Sequence, residues 1–451
     1  MRKRSVSVGF ALVGLWVVLA CGALSQEKPK VVDPESPSGL DYYAQGGVVV
    51  DGVAYFTSTD GCRREGVEKS PDFPSVVAFD VRTFRKLRTY RFARTYDSTP
   101  LVFDKRDGTR LIIAHEHEKK RTTAIRRDTG EVDWISAPNQ PGAYFFGYSY
   151  YQRDDGSKII LMACQNGLHA MSGETGEDLW CIERRTTGGI TPCVDQQRGW
   201  VFYQCDGKVL KIRAEDGHVL QAVEVDKPNI CISWNTVLVD DPHGYFVATR
   251  WYGKPEWDSA IRVYDKDLRL VWEKTALPIG KKSTLTYAEG KLVVGGGNSW
   301  SKEYSGDEWK HVTAYSIADG RVAWRLDASQ FAFASIMNVP YVDGYLYAET
   351  QNGPDASQLL RIRASDGHLD EVLDYGRPVT SCATCIAAHG MILSGDLYQD
   401  GIVATRIAES SKADWPGTFG DPQTHQMASP SDPEARRVPM QELSDDDIKR
   451  Q

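Results

Sequence analysis

The sequence predicts an all-β protein: an eight-bladed β-propeller of four-stranded antiparallel blades, with seven blades as the alternative. Three observations predict it. The 451 residues hold 40 Gly, 21 Pro, 21 Tyr and 12 Trp, the composition of many short strands joined by tight turns. One phrase recurs along the chain: a β-branched strand, a turn with Asp or Gly, then a short strand often carrying Trp. Successive turn glycines, such as Gly130, Gly176 and Gly217, stand near one four-stranded sheet apart.

The N-terminus comes first. Arg2-Lys3-Arg4, an apolar run from Val6 to Leu24 and the small-x-small site Ala23-Leu24-Ser25 read as a signal peptide over 1–25. The run is nearly long enough for an uncleaved anchor. Val18-Leu19-Ala20-Cys21 resembles a lipoprotein cleavage box, although Leu19 sits where a small residue is usual. The chain is therefore expected to be secreted or periplasmic, and to meet a membrane only through an uncleaved or lipidated N-terminus. Cleavage removes three positive charges, taking the net charge from -8 to -11. It also removes Cys21 and leaves eight of the nine cysteines, an even number for an oxidising compartment. Cys382-Ala383-Thr384-Cys385 reads as a local disulfide or as buried thiols. No His follows it, so it attaches no haem, and its setting is not that of a redox motif.

The repeats fill 26–410. A weak copy, Val76-Val77-Ala78-Phe79-Asp80, opens the series. Thr123-Ala124-Ile125-Arg126 leads to Asp128 and Gly130 with Trp134, and Leu168-His169-Ala170-Met171 leads to Gly176 with Trp180. Val209-Leu210-Lys211-Ile212 leads to Asp216-Gly217, and Ile261-Arg262-Val263-Tyr264 to Asp267 and Trp272. Val312-Thr313-Ala314-Tyr315 leads to Asp319-Gly320 with Trp324, and Leu360-Arg361-Ile362-Arg363 to Asp366-Gly367. Ile402-Val403-Ala404-Thr405 closes the series without a partner strand. Gly supplies the positive φ of a tight hairpin, Asp caps the turn, and Trp offers a flat face between neighbouring sheets. Each phrase follows another hairpin, as at Trp200-Val201-Phe202-Tyr203 or Lys291-Leu292-Val293-Val294, and two hairpins make a blade. The eighth unit lacks its outer strand, which the segment from Gln26 to Tyr43 is expected to supply. Residues 411–451 read as a polar tail without periodicity, expected to be disordered, with Trp415 and Phe419 pinning its start.

At these repeats the chain resembles the PQQ-like β-propeller family, whose members include quinoprotein dehydrogenases and BamB-like outer-membrane assembly lipoproteins. The resemblance covers nearly all of the chain after residue 25 and implies the fold; propellers host many unrelated activities. A quinoprotein of the family would carry an adjacent cysteine pair and acidic Ca²⁺ ligands. This sequence has no Cys-Cys pair and no c-type haem motif, so PQQ is not expected. No cofactor is expected. His115 and His117 have the spacing of a metal pair, but no third ligand supports Zn, and no ligand set supports Ca.

Function is read by exclusion and then by one face. The acidic balance argues against a general nucleic-acid binder. A Ser-His-Asp hydrolase lacks its G-x-S-x-G elbow. In a propeller of this family the connections between blades and the loops between second and third strands share one face. There the candidate catalytic residues are His115, His117, Tyr148, Arg250 and Tyr252, and the candidate substrate-binding residues are Asn166, Arg185, Trp234, Asn235, Trp300 and Asn338. His115 and His117 point to one side of an extended strand. Lys119-Lys120-Arg121 follows, as a solvated loop or as part of a locally basic mouth. Cationic, amide and aromatic groups suit an anionic polysaccharide, because rings stack on sugars and Arg pairs with carboxylate. The leading reading is a secreted or periplasmic binding or assembly module whose partner is an envelope protein or an anionic polysaccharide. The alternative is a polysaccharide lyase acting by β-elimination on uronates, with a neutraliser and a base from the His/Tyr/Arg group. That group is similar in composition to the centres of propeller lyases such as ulvan lyases.

Overall fold

Burial explains why each repeat becomes a sheet. The second strand of the third repeat, Lys158–Cys164, reads KIILMAC and is buried at every position, as suits a strand covered on both faces. The outermost strand of the same repeat, Asp178–Glu183, has only half-buried and exposed positions, the pattern of a rim strand. The computed structural model describes residues 30–32, 43–59, 76–83, 85–92, 99–117, 119–137, 147–184, 191–225, 230–253, 259–280, 283–297, 306–331, 333, 335–336, 338–351, 357–375, 385–395 and 402–407. The expected signal peptide and the C-terminal tail lie outside these residues.

The strands form eight four-stranded antiparallel sheets arranged as a propeller. Blade 1 is Tyr43–Val50, Val53–Thr59, Val76–Asp80 and Lys86–Tyr90; blade 2 is Leu101–Asp104, Arg110–Glu116, Arg121–Arg126 and Val132–Ile135. Blade 3 is Tyr148–Gln152, Lys158–Cys164, Gly167–Ser172 and Asp178–Glu183; blade 4 is Cys193–Asp195, Trp200–Cys205, Lys208–Arg213 and Val219–Glu224. Blade 5 is Ile230–Asp241, Gly244–Gly253, Ser259–Tyr264 and Leu270–Leu277; blade 6 is Leu285–Ala288, Lys291–Gly295, His311–Ser316 and Val322–Asp327. Blade 7 is Tyr341–Val342, Tyr345–Glu349, Gln358–Arg363 and Leu369–Asp374. Blade 8 takes Cys385–Ala388, Met391–Gly395 and Ile402–Arg406 from the end of the chain and Lys30–Val32 from its beginning. The only helix among the described residues is one 3-10 turn at Asp307–Trp309.

The ring closes as expected. Val31 pairs with Val403, flanked by Lys30 with Ala404 and Val32 with Ile402, so the N-terminal strand is the outer strand of the last blade. First strands of neighbouring blades meet around the axis. Cys385 carries a buried thiol, so the thiol reading describes it; Cys382 lies outside the described residues.

Four seams are joined by tryptophan. The indole N–H of Trp134 donates to the carbonyl of Gly173 at 3.1 Å, Trp180 to Ala214 at 3.1 Å, Trp272 to Ile317 at 2.7 Å and Trp324 to Ala364 at 2.9 Å. Each ring then covers a turn glycine of the next blade: Gly176, Gly217, Gly320 and Gly367 in turn. Blade 1 has Arg88 at the same register, and its guanidinium reaches the carbonyls of Arg127 and Asp128. In blade 4 the position is Gln221, whose amide donates to the Asp267 carbonyl, and the next turn has Leu268 where the others have Gly. Lys211 bridges the same seam: its ammonium lies 3.4 Å over the Trp200 ring and donates to the Lys266 carbonyl at 2.7 Å.

Candidate functional site

Antiparallel pairing throughout a blade places the ends of second strands, the starts of third strands and the connections between blades on one face. On that face, short bridges link Ile279 to Gly297, Gly297 to Ser335 and Ser335 to Gln351, tying blades 5, 6 and 7 together. This is the face on which the candidate residues are expected.

His115 is the sixth residue of its strand and is buried to 1% exposure at the seam with blade 3. Burial, and after it the neighbouring His117, lowers its pKa to about 3, so the ring is neutral at ordinary pH. The two imidazoles meet edge to face with centroids 6.4 Å apart, and His117 stands half-buried in the turn that follows. Tyr148 begins the first strand of blade 3, is fully buried, and packs with Met162 and Cys164 against blade 2. Burial pushes its phenol well above the ordinary value.

Arg250 lies in blade 5, three blades around the ring from His115. It is fully buried, and its guanidinium donates to the carbonyls of Ser283, Gly280 and Ile279 and to the Ser259 hydroxyl. It clamps the connection to blade 6, held there from the inside. Its register position in blade 5 is the one that His115 occupies in blade 2. Asn338 is buried too, and its side-chain oxygen accepts from the Thr284 hydroxyl at 3.0 Å, joining blades 6 and 7. Asn166 is exposed at the tip of a two-residue hairpin, with its oxygen 3.0 Å from the His169 Nε2. Trp234 and Asn235 sit in a strand whose register shifts between Ile232 and Thr236, and Tyr252 pairs with Cys231 across the same sheet. The side chains of these three, and all of Arg185 and Trp300, are outside the described residues.

The structure thus brings His115, His117 and Tyr148 to one seam and puts Arg250 in another. What the face offers in the open is charge. Arg121 pairs with the Glu116 carboxylate, whereas Lys119 and Lys120 are exposed and make no ion pair among the described residues. Backbone bonds from Lys119 to the Glu116 carbonyl at 3.1 Å and from Lys120 to the His117 carbonyl at 3.2 Å hold this turn. Lys120 takes a left-handed φ of 51°.

No family model matches the chain, and no curated protein matches it by sequence. Solved structures do match. BamB from Moraxella catarrhalis superposes with a TM-score of 0.54 at 12% identity, over 85% of this chain and 97% of that one. Quinohemoprotein alcohol dehydrogenase from Comamonas testosteroni superposes with a TM-score of 0.54 at 11% identity, over 86% of this chain and 77% of that one. The fold is an eight-bladed β-propeller similar to theirs. At these identities the likeness is one of fold alone.

In this propeller, no three His, Cys, Asp or Glu side chains gather to hold a metal among the described residues. No helix among them is long and apolar enough to cross a membrane. Sequence reasoning missed His169 and Cys181, which meet at 3.6 Å beside Asn166. Burial raises the Cys181 thiol to about 11, which keeps it protonated and a poor nucleophile. Only cross-strand register, with Met162, His169 and Cys181 side by side, brings these groups together.

Proposed function

We propose that the protein is an envelope-side binding or assembly module, free of quinone, which uses the face of blades 2 and 3 to hold an acidic partner. The observation that carries this reading is the pair Lys119 and Lys120, exposed and making no ion pair among the described residues, next to the Arg121–Glu116 pair. Two exposed neighbouring cations in a turn held by backbone bonds attract negative charge. The net acidity of the rest of the chain repels such partners elsewhere.

The fold likeness to BamB supports a protein of the cell envelope as the partner, and an anionic polysaccharide is the other outcome. A base and a neutraliser in reach of a polymer would favour the lyase reading; the described Tyr148, Arg250 and His115 are buried, and no observation favours it. The chain has no adjacent cysteine pair to place beside a quinone.

The test is affinity capture from envelope extract with cross-linking, using the wild type and Lys119→Glu/Lys120→Glu. A defined partner retained by the wild type, lost by the variant and released by salt supports the reading. An empty capture, together with unsaturated product formed from ulvan, pectin or alginate, replaces it with the lyase.

A further inference from the structure

Blades 5, 6 and 7 are joined twice over. Trp272 locks blade 5 to the turn of blade 6, and Trp324 locks blade 6 to the turn of blade 7, each by an indole bond and a ring laid on a glycine. On the other face the bridges from Ile279 to Gly297, Gly297 to Ser335 and Ser335 to Gln351 run across the same three blades. Among the described residues neither device crosses the seam between blades 4 and 5 or the seam between blades 7 and 8.

Those two seams are joined differently. Between blades 4 and 5, Gln221 stands where the lock has Trp and Leu268 where it has Gly. Polar groups do the joining: Gln221 to the Asp267 carbonyl, Lys211 to the Lys266 carbonyl, and Arg198 between the carboxylates of Asp195 and Asp240 at 2.9 Å each. Burial pushes the Lys211 ammonium down to about 8, so this seam holds a charge against its loss of hydration. Between blades 7 and 8, Glu371 takes the Trp position. The outer strand of blade 8 comes from Lys30–Val32, so that blade has no turn between third and fourth strands for a ring to cover. Glu349, Tyr375, Ser394 and Thr405 are among the side chains buried there.

A seam of ions and hydrogen bonds parts more readily than an indole-locked one. Water replaces its bonds and rehydrates its charges, whereas an exposed indole face gains nothing from water. We propose that blades 5–7 move as one rigid arc, with the seams between blades 4 and 5 and between blades 7 and 8 as its joints. The contacts of Arg250 with Ser283 and of Thr284 with Asn338 lie inside the arc and stay closed while the joints open.

Four native thiols, each at 0% exposure, sit in four different seams. Cys164 packs between blades 2 and 3 and Cys205 between blades 3 and 4, both behind Trp locks. Cys193 packs between blades 4 and 5 and Cys385 between blades 7 and 8. The test labels the native full chain with a maleimide, slowly enough for opening to equilibrate, and reads each peptide by mass spectrometry. Cys193 and Cys385 should label at least about tenfold faster than Cys164 and Cys205. Gln221→Trp with Leu268→Gly supplies the missing lock and should slow Cys193 alone; should that variant not fold, the wild-type rates decide by themselves. One common rate for all four thiols overturns the proposal, because the ring then opens as a whole. Cys205 labelling as fast as Cys193 overturns it as well, because a Trp-locked seam then opens as readily as the joint.

Discussion

Trp180 and Gly217 meet across the seam between blades 3 and 4 so closely that a Cβ on Gly217 would lie 2.7 Å from the indole ring. Gly217 also has a φ of 75°, a conformation that side chains disfavour. Two independent reasons therefore demand glycine here. Gly217→Ala should lower stability by about 2–4 kcal/mol, combining overpacking with backbone strain. Gly108, with a φ of 83° and nothing within 4 Å of its would-be Cβ, isolates the strain. Gly108→Ala should cost only about 1 kcal/mol. Urea unfolding of the two variants separates the terms; equal losses would sink the packing argument.

Arg250 is a clamp, and its removal should act on stability. Arg250→Ala leaves the carbonyls of Gly280 and Ser283 buried without this donor, while Ile279 keeps the Ser259 hydroxyl. A loss of about 3 kcal/mol is expected. Arg250→Lys should recover little of it, because one ammonium cannot reproduce the planar fork. Thermal unfolding reads both, and hydrogen exchange should quicken first around Ser283 and Thr284.

Buried histidines set an acid limit. Burial lowers His115 to about 3 and His311 to about 4, against 6.5 for an exposed ring. The unfolded chain then binds protons that the folded one refuses. Their contribution is complete above pH 6.5 and is lost as the pH falls toward 4 and 3. Each histidine should remove about 1.4 kcal/mol per pH unit below 6.5 until its folded form also protonates. His115→Gln should flatten the fall in urea midpoint between pH 6.5 and 4 by about one proton. An unchanged slope would place His115 in solvent.

Lys30–Val32 should protect the last blade. Without it, Ile402–Arg406 becomes an open edge with unpaired backbone groups. Deleting residues 26–32 should speed amide exchange across Ile402–Arg406 and leave blade 3 protected. Uniform loss of protection would show instead that the ring unfolds as one unit.

Much of the fold was legible because propeller physics is local and repeated. Trp134, Trp180, Trp272 and Trp324 each precede a glycine one repeat later, and the chain announces the exception itself: Gln221 in place of Trp, then Leu268 in place of Gly. The unpartnered eighth repeat likewise announced an outer strand from the N-terminus. The site was less legible. His115 and His117 share a strand side by simple alternation, but alternation is blind to what lies over the strand.

By itself, then, the sequence determined the propeller, the closure of the ring and the face that carries the connections, and the structure chose eight blades over seven. Each of these follows from hairpin pattern, which near neighbours in the chain decide. Tertiary structure alone decided which polar side chains reach solvent. Arg250 and Asn338 are turned inward by connections from the next blade, while Lys119 and Lys120 are left open. It also joined Glu349 to Thr405 in one buried group. Burial depends on the surfaces that strands from different repeats bring together, and no period in the chain encodes that.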